Sequence, residues 1–341
     1  MSAERYEAES SAGAESRGRG SRALRAAAWV LGLAMLIAAV VAVVRERAVF
    51  DGAMEQARSA SIAVLTLLVV MPLVNWLLTA GLFAVLMRRQ CAVSGSAGRV
   101  GFSEMAALVG SAWLLNLLPL KPGLVGRIAY HKVINGIDVR DSVAAQVWSV
   151  ACTLAAVSVF VAVQATIAVL AEPGDAGSVR GWMGFITATV APVAGLVALA
   201  SVIAARGGGR GPATAMLVLG VSLRLADVLV WAMRLALVFV VLGTPLPPTV
   251  LAAVVAAMML ANLLPIPIGA TEWMAGGAVA VLAMSGAAGV AGLTTQQALA
   301  LGLAAGVLSR AAELVVAVPI GLVCSMLVAR RLAARNARSA A

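Results

Sequence analysis

The sequence predicts an all-α integral membrane protein with six full spans and two oppositely oriented re-entrant hairpins, built as an inverted repeat. Three observations carry that expectation. The chain is 62% hydrophobic and 12% charged, with a mean hydropathy of +1.00, more apolar surface than a water-soluble domain can bury. One phrase is written twice, as Asn116-Leu117-Leu118-Pro119-Leu120-Lys121-Pro122-Gly123 and as Asn262-Leu263-Leu264-Pro265-Ile266-Pro267-Ile268-Gly269. Each copy closes an apolar run of about fifteen residues, which as a helix reaches only about 22 Å against a hydrocarbon core of about 30 Å. The arginine-rich stretches, finally, all fall on one side of the membrane if both short segments return to the face they came from.

The elements follow in order. Residues 1–24 are rich in Ser, Gly, Ala, Glu and Arg without an apolar period, which predicts a disordered cytoplasmic tail. The membrane region is expected over 25–330. Its first span, Ala26 to Val44, follows Arg17, Arg19, Arg22 and Arg25; it is longer than a signal-peptide core and lacks a small-x-small cleavage pattern, so it reads as an uncleaved helix. Ile62 to Met87 spans next and ends at Arg88, Arg89 and Arg99. The first broken segment is Phe102 to Pro122, followed by Arg127, His131, Lys132 and Arg140. Val143 to Leu170 spans to an acidic loop at Glu172 and Asp175, and Trp182 to Ala204 returns to Arg206 and Arg210. Thr214 to Leu242 spans to the uncharged turn at Gly243. The second broken segment, Val250 to Gly269, has a short partner helix from Trp273 to Met284. Gln297 to Ala329 is the last span, before a basic tail at 331–341. Both termini are then cytoplasmic, with the first hairpin entering from the cytoplasm and the second from outside.

The duplication is wider than the phrase. At an offset of 146, Ala106 to Val109 faces Ala252 to Val255; at 160, Ser142 to Ser149 faces Gly302 to Ser309. Repeat one is expected over about 102–170 and repeat two over about 249–329. Such units place a binding site where the breaks meet. The hairpin breakers are Asn116, Pro119, Pro122, Gly123, Asn262, Pro265, Pro267 and Gly269; the two asparagines also read as caps of the broken backbone.

Composition excludes much chemistry. Cys91, Cys152 and Cys324 lie far apart, and His131 is the single histidine, so neither a disulfide framework nor a metal site is expected. No Walker loop, HExxH or GxSxG motif is present; Ser309 near Glu313 is a poor nucleophile and base. No enzymatic activity and no cofactor are expected. The net charge of +10 is almost wholly arginine, with Lys121 and Lys132 the only lysines. These cations sit at the ends of apolar segments, which suits membrane orientation better than nucleic-acid binding. The arginine bias, with abundant alanine, points to a GC-rich coding sequence and to a bacterial cytoplasmic membrane.

Polar groups inside a bilayer carry an apparent cost of about 2.5–3.5 kcal/mol each at a helix centre and need partners or water. Arg224, Asp227, Trp231 and Arg234 share one helical face through spacings of three, four and three. Arg310 and Glu313 lie one turn apart, far from either helix end; Glu272 closes the second hairpin, and Lys121 and Arg127 flank the first. Together they predict a polar interior of five cations and three acids, suited to an anionic headgroup clamped by guanidiniums. Bland readings stand beside this one. Arg224–Asp227 and Arg310–Glu313 also read as structural pairs, Arg234 as a snorkelling residue, and Arg127, His131 and Lys132 as interfacial anchors. Trp113, Trp148 and Trp273 read as packing or interface residues.

The order Pro119-x-Lys121-x-Gly123-x-x-x-Arg127 resembles the first signature of the lysylphosphatidylglycerol synthase transmembrane region, or flippase-like domain, family. Pro265-x-Pro267-x-Gly269-x-x-Glu272 resembles its later Pro-x-Pro-Gly-Gly…Glu signature, and Arg310-x-x-Glu313 its Arg-x-x-Glu/Asp pair. The resemblance covers about 25–330. Leu124 stands where the family commonly has an acid, Ile268 where it has a glycine, and Val150 and Thr153 where the second repeat has Arg310 and Glu313. The resemblance implies translocation of an anionic phospholipid or lipid-linked intermediate. The chain ends at Ala341 without the aminoacyltransferase domain of bifunctional members, so tRNA-dependent aminoacylation is not expected. The competing readings are a non-transporting membrane partner of a lipid- or glycan-modifying enzyme, and a small-solute permease.

Overall fold

The computed structural model describes residues 55, 58–95, 100–116, 122–170, 213–263, 270–287 and 289–340. Within them the chain is helical and contains no strand: α1 (Ile62–Ser94), α2 (Phe102–Leu115), α3 (Pro122–Ile134), α4 (Val139–Leu170), α5 (Ala213–Val241), α6 (Pro248–Leu263), α7 (Ala270–Met284) and α8 (Thr295–Ala340). Four of these, α1, α4, α5 and α8, are long and apolar enough to cross a membrane. The expected spans Ala26 to Val44 and Trp182 to Ala204 lie outside the described residues.

Local chemistry accounts for the boundaries. Ser61 caps α1 by accepting from the Val64 amide at 3.4 Å, and Gly95 ends it in the left-handed region at φ 71°. Helices α2 and α6 are only 14 and 16 residues long. Pro122 opens α3, where its missing amide hydrogen is not needed; the basic stretch after the first phrase is therefore a helix in its own right, which the apolar pattern did not predict. Helix α8 runs for 46 residues, about 69 Å at 1.5 Å per residue, so it continues through the basic tail expected at 331–341. Large apolar side chains stand exposed along it (Val315, Leu322, Val323, Met326) and along α1 (Leu67, Val70, Leu77). Such exposure suits a hydrocarbon solvent.

Glycines set the closest approaches. A Cβ at Gly302 would lie 2.6 Å from Gly276 Cα, and one at Gly306 2.9 Å from Glu272 Cα, so α8 lies backbone to backbone on α7 through a Gly-x-x-x-Gly face. On its far half α8 meets α2 in the same way: a Cβ at Gly321 would lie 2.5 Å from Leu114 Cβ, and one at Gly110 2.6 Å from Cys324 Sγ. A Cβ at Gly123 would strike the Ala112 carbonyl oxygen, which lets the start of α3 fold back against the end of α2.

The two short pairs are helical hairpins. At the open end of α2–α3, Glu104 receives Tyr130 Oη and Asn135 Nδ2, both at 3.1 Å, and Arg331 of α8 lies 3.6 Å away. The open end of α6–α7 lies where Gly289, just past α7, packs on Pro247, just before α6. Packing follows one rule throughout. Exchanging α1 with α5, α2 with α6, α3 with α7 and α4 with α8 maps the set of extensively packed pairs onto itself: α2 on α8 answers α6 on α4, and α1 on α4 answers α5 on α8. The larger core joins α4 to α8 around Phe160, Leu235, Phe239, Leu251 and Met258. A second core joins α1, α2 and α4 around Leu82, Leu86, Met105 and Cys152.

Candidate functional site

Six charges from three helices, four of them buried, meet between the hairpins. On α5, Arg224 donates through Nη1 to Asp227 Oδ2 at 2.6 Å and through Nε to Thr153 Oγ1 of α4 at 2.9 Å. Thr153 in turn donates to the Ser149 carbonyl at 2.8 Å. Asn75 of α1 completes the Asp227 shell, donating from Nδ2 to Oδ1 at 2.6 Å and to the Asp227 carbonyl at 3.0 Å. One ionic string thus ties α1, α4 and α5 together.

The second string runs through α8. Arg310 donates from Nε to Glu272 Oε1 at 3.0 Å, from Nη1 to Glu313 Oε2 at 3.2 Å and from Nη2 to Thr271 Oγ1 at 3.1 Å. Thr271 also donates to Glu272 Oε2 at 2.8 Å. Glu272 sits in the first turn of α7, where the helix dipole favours a carboxylate. Trp113, near the tip of the first hairpin, donates to Glu313 Oε1 at 2.7 Å. Both hairpins therefore converge on one residue pair in the middle of α8.

Arg234 is the exception to this satisfied arrangement. Its side chain is 1% exposed, and it lies over the Trp231 ring at 4.4 Å. Its Nη2 is 3.9 Å from Glu313 Oε2, close enough for charge attraction but too far for a hydrogen bond. Both Nε and Nη2 are buried without a hydrogen-bond partner. Arg224 and Arg310 are the more open cations, with side chains 16% and 27% exposed.

The site residues expected from sequence divide in three. Arg224, Asp227, Arg234, Glu272, Arg310 and Glu313 are brought together, and both i,i+3 pairs form. Arg127 is elsewhere, beneath a groove of about 280 Å³ lined by Leu108, Ala112, Leu115, Tyr130 and Leu332 among others. It donates to Gln146 Oε1 at 2.5 Å and stacks on Phe83 at 3.6 Å; burial pushes its guanidinium down to about 10. Lys121 lies outside the described residues, as do Pro119, Pro265, Pro267 and Gly269. Asn116, Pro122, Gly123 and Asn262 are described, at the helix ends flanking the breaks. Among the described residues the cluster balances three guanidiniums against three carboxylates. Of the five cations expected there, Arg127 lies elsewhere and Lys121 is outside the described residues.

Sequence reading missed Asn75, Thr153, Thr271 and Trp113 as members of the site. A polar side chain in the middle of a long span was the available signal for Asn75. Thr153 of α4 and Glu313 of α8, helices that exchange places in the packing pattern, each face an arginine of α5. Helix α4 engages its arginine with a hydroxyl, α8 with a carboxylate.

The fold and this buried ionic core define an all-helical integral membrane protein. In comparisons with known proteins, no family model, no curated protein and no solved structure matches the chain.

Proposed function

We propose that the protein is a flippase-like membrane protein that moves an anionic phospholipid or lipid-linked intermediate between leaflets of a bacterial cytoplasmic membrane. We read α2–α3 and α6–α7 as re-entrant hairpins entering from opposite faces, within six spans, and the two halves as an inverted repeat related to the lysylphosphatidylglycerol synthase transmembrane region. The convergence of both hairpins on Arg310 and Glu313 carries this reading. A charged pair in the middle of an apolar span is expensive unless it serves a pathway, and broken helices meeting at such a pair are how transporters build a central site.

Other observations support it. The open ends of the hairpins lie toward opposite ends of α8, one beside Arg331 and the other in the connection just before Thr295. The exchange of packed pairs between halves suits a duplicated unit. The apolar groove beside Arg127 offers room for an acyl chain next to a cation.

The test is transbilayer movement of fluorescent phosphatidylglycerol in proteoliposomes. The wild-type chain is expected to accelerate it, and Arg310→Ala and Arg224→Ala to reduce it at least tenfold. Unchanged rates in both variants would remove the cluster from the path. No acceleration with any lipid mixture would favour a non-transporting partner of a membrane enzyme.

A further inference from the structure

Resting on the reading above, we infer that this site binds a phosphate oxyanion together with a proton: Arg234 receives the anion and Glu313 takes up one proton when it does. The first observation is the charge balance. Among the described residues, Arg224, Arg234 and Arg310 are matched by Asp227, Glu272 and Glu313 within one cluster. A singly charged headgroup admitted to that cluster leaves one uncompensated negative charge in a low-dielectric interior. An unpaired charge is strongly disfavoured there. Protonating one carboxyl removes it.

The second observation names the groups. Nε and Nη2 form one edge of a guanidinium, the edge that takes an oxyanion with two parallel hydrogen bonds. In Arg234 both are buried and unpartnered. The nearest carboxylate, Glu313, stands 3.9 Å off. Glu313 is also the most shared acid. It is faced by Arg310 on its own helix, by Arg234 from α5 and by Trp113 from α2. Glu272 from α7 reaches it through Arg310, and Asp227 from α5 lies within charge range of both Arg234 and Glu313. The arriving phosphate takes over Arg234. The proton comes from water on the side where the anion enters. It leaves to water on the other side when the anion departs and Glu313 recovers its charge.

The chemistry fits a lipid phosphodiester and a free phosphate ester alike, so the experiment carries both. Full-length protein is reconstituted in vesicles holding a trapped pH dye. Fluorescent phosphatidylglycerol movement and uptake of radiolabelled glycerol 3-phosphate are then followed from pH 6 to pH 8. Phosphatidylglycerol keeps its charge over this range. Its movement is expected to rise as pH falls, by up to about tenfold per pH unit for one proton taken up with each anion, with lumenal acidification in step. Glu313→Gln, which mimics the protonated acid, is expected to flatten the profile, and Arg234→Gln to abolish anion-dependent movement. Wild-type lipid movement independent of pH would overturn the coupling while leaving the lipid reading intact. A Glu313→Gln variant with the wild-type slope would overturn the assignment to Glu313. Uptake of glycerol 3-phosphate with acidification, without lipid movement, would keep the anion and proton site and remove the lipid. No movement of either probe at any pH would overturn both.

Discussion

At the residue scale, the buried ions are held by mutual satisfaction, which makes them sensitive to removal of one partner. Asp227 is 3% exposed and binds Arg224 and Asn75. Asp227→Ala leaves Arg224 uncompensated and is expected to destabilise by about 3–5 kcal/mol, read as a lowered unfolding midpoint in detergent. Adding Arg224→Ala should recover part of that loss, so a double-mutant cycle will show coupling of about 1–3 kcal/mol. The Arg331–Glu104 pair is of another kind; its arginine is half-exposed and screened by solvent, and Glu104 keeps Tyr130 and Asn135, so Arg331→Ala is expected to change stability by no more than about 1 kcal/mol. His131 makes the clearest pH prediction. Its Nδ1 lies 3.2 Å from Asn135 Oδ1, so that nitrogen carries the hydrogen, while Nε2 is buried without a partner. Burial lowers its pKa below the ordinary 6.5. The unfolded chain then binds more protons as pH falls, so the contribution of neutral His131 is present above about pH 6.5 and is lost below it. Unfolding temperatures measured from pH 8 to pH 5 should fall more steeply for wild type than for His131→Gln.

At the scale of elements, glycines decide where charges can meet. Gly306 lets α8 approach Glu272 of α7, and Arg310 follows one turn later. Gly306→Leu is expected to push α7 and α8 apart and break the Arg310–Glu272 bond. The readout is the coupling energy between Glu272→Gln and Arg310→Gln, which should fall to near zero in that background. The long elements were legible because twenty or more apolar residues leave few alternatives to a spanning helix. Short ones were less so. Helix α3 was invisible to hydropathy because Arg127, His131 and Lys132 interrupt it, and only Pro122 marked its start. The two arginine-to-acid pairs were legible because i,i+3 spacing puts partners on one face. Trp113, Asn75 and Thr153 were not, since their roles depend on which helices become neighbours.

At the scale of the whole molecule, the topology has a direct test. Ser285 and Asp138 are both exposed, just past the second and first hairpins respectively. If each hairpin returns to the face it entered, a Cys at 285 reacts with a membrane-impermeant reagent from outside and a Cys at 138 does not. Reaction at both, or only at 138, would remove the opposed re-entrant arrangement. Charge placement is what predicts this topology from the sequence, because arginines are costly to translocate. That Arg127 lies apart from the cluster was not readable, because it depends on which helices become neighbours. Thr153 and Glu313 carry a last consequence. Two helices, α4 and α8, that pack alike but hold one arginine by a hydroxyl and the other by a carboxylate are not interchangeable in energy. A motion that exchanges their environments therefore runs between unequal states. If the protein transports as proposed, one of its two postures is the resting one, and the cycle must be driven out of it before it can turn over.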